Sequence, residues 1–225
     1  AMTRRMLMAC AAVIIAAMEA PVPAQSSVGL VPPVLLQPGE AVTGKVGPDV
    51  PNVYVLYLAA GDRADLRIDQ TAGDLRGRII APGGTASSFN NNESDLGTEH
   101  VIVAAEQAGE YSIELKAHAS PPRPYVLTLV NVDRATPQDL QRVTVQRLLQ
   151  RAREAGDQRL AVNSEAVSVA REARDPRFLL AALMELGRAE AFRDRRVARA
   201  IFEEALALAR TLKEPLTQES VFNDL

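Results

Sequence analysis

The residue types that most often carry out catalysis are few in this sequence and lack partners at a useful spacing. Its two histidines, His100 and His118, lie on or beside predicted strands, and its single cysteine is Cys10. The sequence contains no G-x-S-x-G, H-E-x-x-H or G-x-G-x-x-G pattern, whose spacing places a nucleophile, a zinc ion or a phosphate. The adjacent acids Glu203 and Glu204 would project about 100° apart on a helix, as a solvated face rather than a dyad. We therefore predict a protein that is not an enzyme and needs no cofactor, with both histidines at the surface.

The run from Ser87 to Asp95, SSFNNNESD, is rich in side chains that carry oxygen. Calcium prefers oxygen ligands, and the weak candidates for such a site are Asn90, Asn92, Glu93 and Asp95. Their spacing matches no defined calcium loop, and Asn and Ser are also common turn residues. We therefore expect a solvated, flexible connection here and no bound metal.

The charge of the chain argues against nucleic acid and anionic lipid as partners. The formal net charge is -3 and the pI is near 5.6, whereas such partners select a strongly basic surface. Four arginines lie close together at positions 193, 195, 196 and 199, but Glu190, Asp194, Glu203 and Glu204 surround them. Mixed charge of this kind usually solvates a helix.

The N-terminal 24 residues have the pattern of a signal peptide. Arg4 and Arg5 precede an apolar run of about 13 residues, which is short for a bilayer span of about 20. Val22-Pro23-Ala24 has the small-x-small pattern of a cleavage site, so we expect export to the periplasm or the cell exterior. The alternative is an uncleaved segment that anchors the chain in a membrane. Cleavage would remove Cys10, so no disulfide is expected, and residues 25–34 are predicted to be a flexible lead-in.

Residues 35–132 have the alternation and turn spacing of an antiparallel β-sandwich, jelly-roll-like in its strand count. Seven strands are predicted, at Ala41–Val46, Val53–Leu58, Ala64–Gln70, Leu75–Ala81, His100–Ala105, Tyr111–Lys116 and Tyr125–Val132. Most of these strands alternate apolar and polar residues, which predicts one packed and one wet face. The last strand also has Val126 and Val130 on its polar side, so we expect it to be covered on both faces.

Residues 133–225 are predicted to be helical, which makes the chain α+β with two domains. The predicted helices span 137–155, 159–174, 176–192 and 195–213, and a fifth begins at Pro215. In the first, Leu140, Thr144, Leu148 and Ala152 form an apolar stripe. The short connections favour antiparallel neighbours, and the pattern Ala-x3-Ala-Arg, then acid-Pro, repeats after 39 residues. A period of this size is typical of stacked helical hairpins in an α-solenoid.

Two sequence runs resemble known families. The run QAGEYSIEL at 107–115 resembles the last hairpin of bacterial pre-peptidase C-terminal-type sandwiches. In the helical part, the spacing of apolar and small residues resembles a TPR unit, at Leu183, Leu186, Gly187, Ala198, Phe202 and Ala205. Exported bacterial proteins that place such a sandwich before TPR repeats often also carry a CHAT-type peptidase domain, for which this sequence has no candidate. The resemblance thus covers the N-terminal part of such a protein.

The resemblance implies a non-catalytic scaffold that binds a protein or peptide through its helical repeats. The groove side of the third helix would carry Met184, Arg188 and Ala191. Two alternatives remain open: the regulatory region of a secreted CHAT-type peptidase, and a sandwich that binds carbohydrate or a surface with the helices as a spacer. Solenoids generally need about three repeats, so we expect a chain truncated at its C-terminus. Phe222 and Leu225 would then be partly exposed, and the open solenoid end could self-associate.

Overall fold

The computed structural model describes residues 32–91 and 97–224, in which nine strands precede a 3-10 turn and five helices. The strands are β1 (Val34–Leu35), β2 (Ala41–Val46), β3 (Asn52–Leu58), β4 (Asp62–Gln70), β5 (Leu75–Ile80), β6 (Ala86–Phe89), β7 (Gly97–Ala104), β8 (Gly109–Ala117) and β9 (Arg123–Arg134). The helices are α1 (Pro137–Glu154), α2 (Arg159–Glu172), α3 (Pro176–Ala191), α4 (Arg195–Leu212) and α5 (Pro215–Asp224). The predicted signal peptide lies outside the described residues.

The strands form two sheets that pack face to face. The five-stranded sheet has the order β1-β3-β8-β5-β6, and the four-stranded sheet has the order β2-β9-β4-β7. All pairs are antiparallel except β1 with β3. Leu56 and Ile113 of one sheet and Leu66 and Leu127 of the other are buried in the core between them. The architecture is therefore α+β, a β-sandwich followed by helices, as predicted.

The seven predicted strands correspond to β2 to β5 and β7 to β9, with ends that agree within three residues. The two short strands β1 and β6 were not predicted. Strand β6 occupies the start of the run expected to be a flexible connection, so that expectation is wrong for residues 87–89. The reason is Phe89, which is 2% exposed and pairs with Gly77 across the sheet. Its ring occupies the space above the glycine, where a Cβ atom would come within 1.9 Å of it.

Strand β7 is the strand buried on both faces. Val101 and Val103 point into the sandwich core, whereas Ile102 between them packs into the helical core. The expectation that β9 would be covered on both faces is wrong at Val130, which is 41% exposed. The difference arises because β7 is an edge strand of its sheet and α1, α3 and α5 pack against it.

The helix bounds agree with the sequence predictions within two residues. Thr136 caps α1 in a reciprocal capping box with Asp139, and Pro137 occupies the first turn. Asp175 and Asp194 cap α3 and α4 through their side chains. These local signals account for the agreement between the predicted and the observed helix bounds. The predicted stripe of α1 is wrong at its first turn, because Leu140 is 55% exposed and Asp139 faces inward instead. None of the described helices is both long and apolar enough to span a bilayer.

A chain of ion pairs ties the sandwich to the helices within one compact unit. The Asp139 carboxylate, whose side chain is 2% exposed, lies 3.3 Å from Nε of Arg63 on β4. The same carboxylate accepts a hydrogen bond of 2.6 Å from Arg142 on α1. Arg142 in turn contacts Asp175 at 2.7 Å, and Asp175 is the N-cap of α3. The β4 strand, α1 and α3 are therefore linked through charged groups with little access to water.

The contact between α3 and α4 depends on a helical glycine. Gly187 of α3 faces Phe202 of α4, whose ring is 2% exposed. A Cβ atom at position 187 would lie 2.5 Å from this ring. Leu183, Ala198 and Ala205 are buried beside it, and Leu186 is partly buried. Small residues thus let the two helices approach closely, with one aromatic ring in the space between them.

Replacing Gly187 by alanine should destabilise the protein despite the better helix propensity of alanine. The propensity gain is about 1 kcal/mol, whereas overpacking a core costs about 1–3 kcal/mol. We expect a lower urea midpoint with an unchanged slope. The additional change Phe202→Leu opens space for the methyl group, so the double variant should lose less stability than the two single losses added together. Additive losses would show that Gly187 and Phe202 do not compete for the same space.

Candidate functional site

The inner face of the helical layer is occupied by strand β7. The Ile102 backbone N–H donates to Gln146 Oε1 of α1 at 3.2 Å, and the Thr98 N–H donates to Thr217 Oγ1 of α5 at 3.3 Å. His100 Nε2 lies 2.9 Å from Glu214 Oε1, just before α5. Side chains from the helical part therefore replace the strand that β7 lacks at its outer edge. The helices and the sheet edge complete each other's hydrogen bonds.

This arrangement corrects the interpretation of His100 as a surface residue. Its side chain is 10% exposed, because the helices cover the strand that carries it, while His118 is exposed. His100, Glu214 and Thr217 border a cavity of only about 20 Å³, which is room for roughly one water molecule. Among the described residues, this cavity has no room for an organic molecule. The contact between His100 and Glu214 holds the segment that leads into α5 against β7.

The structure separates the three residues predicted to bind a partner. Met184 is 1% exposed and borders the same small cavity beside β7, so it offers no surface. Arg188 donates to Glu185 at 2.8 Å and to Asp224 at 3.0 Å, and its side chain is 15% exposed. Ala191 is partly exposed near the end of α3. The predicted groove side of α3 is therefore covered along most of its length and open only at its C-terminal end.

A buried polar cluster lies where β4, β5, β6 and β7 meet. The two carboxylate oxygens of Glu99 accept from Gln70 Nε2 at 2.8 Å and from the Asn91 N–H at 3.2 Å. Asn90 Nδ2 donates to both oxygens of Asp74, at 3.1 and 3.2 Å. Burial raises the pKa of Glu99 to about 8, with a further contribution from the charge of Asp74. Burial also raises the pKa of Asp74 to about 6.

The same cluster bears on the candidate calcium ligands. Asn90 is 5% exposed and its amide nitrogen is directed at Asp74, so N–H groups occupy positions where a cation would bind the carboxylates. Within residues 32–91 and 97–224 no group of three His, Cys, Asp or Glu side chains is placed to hold a metal ion. The candidates Asn92, Glu93 and Asp95 lie outside the described residues.

One end of the helical layer carries an exposed aromatic ring between two grooves. The ring is Phe192, which is 97% exposed, in the turn between α3 and α4. The grooves on either side measure about 750 and 380 Å³. We name this region the helix-end surface; its members are Asp157, Arg159, Arg188, Ala191, Phe192, Arg193, Arg195, Arg199 and Asp224. Two of the three predicted partner-binding residues, Arg188 and Ala191, belong to it.

The helix-end surface has more cations than acids to neutralise them. Arg199 pairs with Glu203 at 3.0 Å, but Arg193 and Arg195 form no ion pair with any residue in the described part of the chain. Arg195 is also the first residue of α4, where the positive end of the helix dipole makes a cation unfavourable. Sequence analysis identified this cluster of arginines but not the exposed ring beside it. Only the turn geometry shows that Phe192 has no apolar neighbour within residues 32–91 and 97–224 to cover it.

Comparison with solved structures finds likenesses to the sandwich part. The pre-peptidase C-terminal domain of a collagenase from Bacillus anthracis is 13% identical, with a TM-score of 0.35, over 45% of this chain and 95% of that one. A periplasmic inhibitor of g-type lysozyme from Aeromonas hydrophila is 17% identical, with a TM-score of 0.34, over 44% of this chain and 93% of that one. No protein-family model and no curated protein sequence matches the chain.

Proposed function

We propose that the chain is a non-catalytic interaction module whose helix-end surface binds a protein segment that is acidic and carries an apolar residue. The observation that carries this proposal is Phe192, 97% exposed between two grooves that contain arginines. Covering a phenylalanine ring contributes about 1.5–3 kcal/mol. An aromatic residue ringed by polar groups is also a common centre of binding energy in protein interfaces.

The charge of the surface indicates the chemistry of the partner. Arg193 and Arg195 have no acidic partner within the described residues, so carboxylates of a bound segment would supply the missing counter-charges. The inner face of the helical layer is filled by β7, which leaves this end as the accessible part of the predicted groove. An apolar side chain of the partner would pack on Phe192 in either groove.

Sequence resemblance supports a finer assignment within this proposal. Helices α3 and α4 would be a TPR-like hairpin, with the close contact of Gly187 and Phe202 as its packing signature. The N-terminal pattern supports export to the periplasm or the cell exterior, where an acidic protein partner would be met. Under this proposal the helical part acts as a scaffold, and the sandwich that precedes it is of the pre-peptidase C-terminal type.

Binding to a peptide array in which acidic and apolar content vary independently would test this function. We expect selection of peptides that have both features, and weaker binding as the salt concentration rises. The variants Phe192→Ser and Arg193→Glu/Arg195→Glu should each reduce the affinity for the selected peptides by at least about tenfold.

Two controls replace exposed residues of the same types elsewhere. Phe222→Ser removes a ring that is 56% exposed on α5, and Arg151→Glu reverses an exposed charge on α1. Both should leave the affinity within about twofold of the original chain, as expected of residues outside the interface. Selection of basic peptides, or equal losses in the controls and the test variants, would contradict the proposal.

A further inference from the structure

A second groove, on the sandwich, has an unusual arrangement of charge. It measures about 630 Å³ and lies between the outer face of the five-stranded sheet and the C-terminal end of α1. Strand β5 contributes Arg76 and Arg78, strand β8 contributes Lys116, and α1 contributes Arg153. Among the described residues, the acids in its lining are Glu114 and Glu154. Cations thus predominate here, although residues 25–132 carry only 7 Lys/Arg against 12 Asp/Glu.

Two of these cations face each other directly across the sheet. Arg76 of β5 and Lys116 of β8 are register partners on the outward face. Side chains in such positions are about 5 Å apart at Cβ, and like charges there destabilise the pair. The next pair along, Arg78 and Glu114, has opposite charges and forms an ion pair of 3.2 Å. The same two strands therefore hold one neutralised pair beside one repulsive pair.

The described part of the chain does not neutralise this pair by direct contact with an acid. Neither Arg76 nor Lys116 forms an ion pair with any residue in 32–91 or 97–224. Asp74 is near enough for the charges of Arg153, His118 and Arg76 to lower its pKa, but burial outweighs them and raises it to about 6. The Asp74 carboxylate is moreover engaged by Asn90. The two cations thus remain available on the groove side.

We propose that this groove binds a small solute with two or more oxyanion groups, held by Arg76 and Lys116 together. A guanidinium fork takes two oxygens of one carboxylate or phosphate, and the lysine supplies a point charge for the next group. The Ser88 hydroxyl and the His118 ring line the same groove and add hydrogen-bonding groups. The volume falls in the range of about 300–1,000 Å³ that is usual for small-molecule sites. This site is separate from the helix-end surface and does not depend on its function.

Titration calorimetry with citrate and with pyrophosphate tests the site and identifies its preferred groups. We expect saturable binding of at least one of them with a Kd below about 1 mM at low salt. Preference for citrate assigns carboxylates, preference for pyrophosphate assigns phosphates, and equal affinity assigns oxyanions in general. Arg76→Gln and Lys116→Gln should each weaken binding by at least about tenfold.

The variant Lys116→Glu separates binding from folding. It converts the repulsive pair into an attractive one, so its unfolding midpoint should rise while anion binding disappears. Lys45→Gln is the matched control, since it removes an exposed cation from β2 of the other sheet and should leave binding within about twofold. The proposal is overturned if neither anion binds, if Lys45→Gln weakens binding as much as Lys116→Gln, or if Lys116→Glu lowers the midpoint.

Discussion

Replacing Asp139 by asparagine should lower the free energy of unfolding by about 3 kcal/mol, the lower part of the range for removing one partner of a buried ion pair. The Asp139 carboxylate accepts from the Thr136 N–H at 2.8 Å and from Arg142 at 2.6 Å, and lies 3.3 Å from Arg63. An amide has one oxygen and would direct its NH₂ group at one of these donors. Arg63 and Arg142, 14% and 20% exposed, would also lose a counter-charge.

We also expect the contribution of Asp139 to the free energy of unfolding to be lost in acid. Burial alone would raise the pKa of Asp139, but hydrogen bonds from Thr136 and the charges of Arg63 and Arg142 outweigh it and lower the pKa. A depressed carboxylate pKa contributes stability above the unfolded value, and that contribution is lost as the pH falls through the folded value.

Urea denaturation at neutral pH measures the loss in the Asp139→Asn variant. The control is Glu204→Gln, because Glu204 forms an exposed ion pair with Arg171 at 2.7 Å. Exposed pairs contribute about 0–1 kcal/mol, so this change should have a small effect. Equal losses in the two variants would show that the buried Asp139 pairs contribute no more to stability than an exposed ion pair.

Stability should fall as the pH rises from 6 to 9, because Glu99 is buried as a neutral acid. Its pKa is raised to about 8 by burial and by the charge of Asp74. Between the unfolded pKa and this value, the folded chain holds a proton that the unfolded chain releases. The free energy of unfolding then declines with a slope of up to about 1.4 kcal/mol per pH unit. The stabilisation that protonated Glu99 provides is present in full at low pH and is lost as the pH rises through the folded pKa.

Glu99→Gln removes this titration, so the variant should have a nearly flat stability between pH 7 and 9. This upper part of the window lies above the pKa of Asp74, which is about 6, so Asp74 contributes little to the slope there. Glu106→Gln is the control, since the Glu106 side chain is 87% exposed and should leave the slope unchanged. Urea midpoints at each pH give the slopes. An unaltered slope in Glu99→Gln would assign the pH dependence to another group.

The elements of this fold follow from local patterns, and their contacts do not. Caps such as Thr136 and Asp175, followed by proline, mark helix starts within a few residues, so sequence periodicity predicts the helix bounds closely. Strand β6 escapes prediction because its pairing depends on one ring, Phe89, over a distant glycine, Gly77. No local signal in a run of serines and asparagines reveals such a contact.

The candidate surfaces are harder to predict because they depend on which faces are covered. Met184 has the apolar character and position of a groove residue, but β7 lies against that groove. Asp139 and Gln146 are polar, yet they face inward because the sandwich supplies Arg63 and the Ile102 N–H as partners. Phe192 is an ordinary apolar residue in the sequence, and only its turn leaves it in solvent. Sequence periodicity indicates that a face packs but does not say against what.

Because the sandwich is synthesised before the helices, the outer edge of strand β7 is uncovered for part of the time of synthesis. The sandwich through Arg134 leaves the ribosome before any helix that supplies Gln146 or Thr217. At 5–20 residues per second, the roughly 90 residues from 135 to 224 take on the order of ten seconds to follow. During that interval the outer edge of β7 has unpaired N–H groups, to which a strand from another nascent chain can add. We therefore expect the chain to be more prone to edge-strand aggregation during synthesis than after α1 and α5 have covered β7.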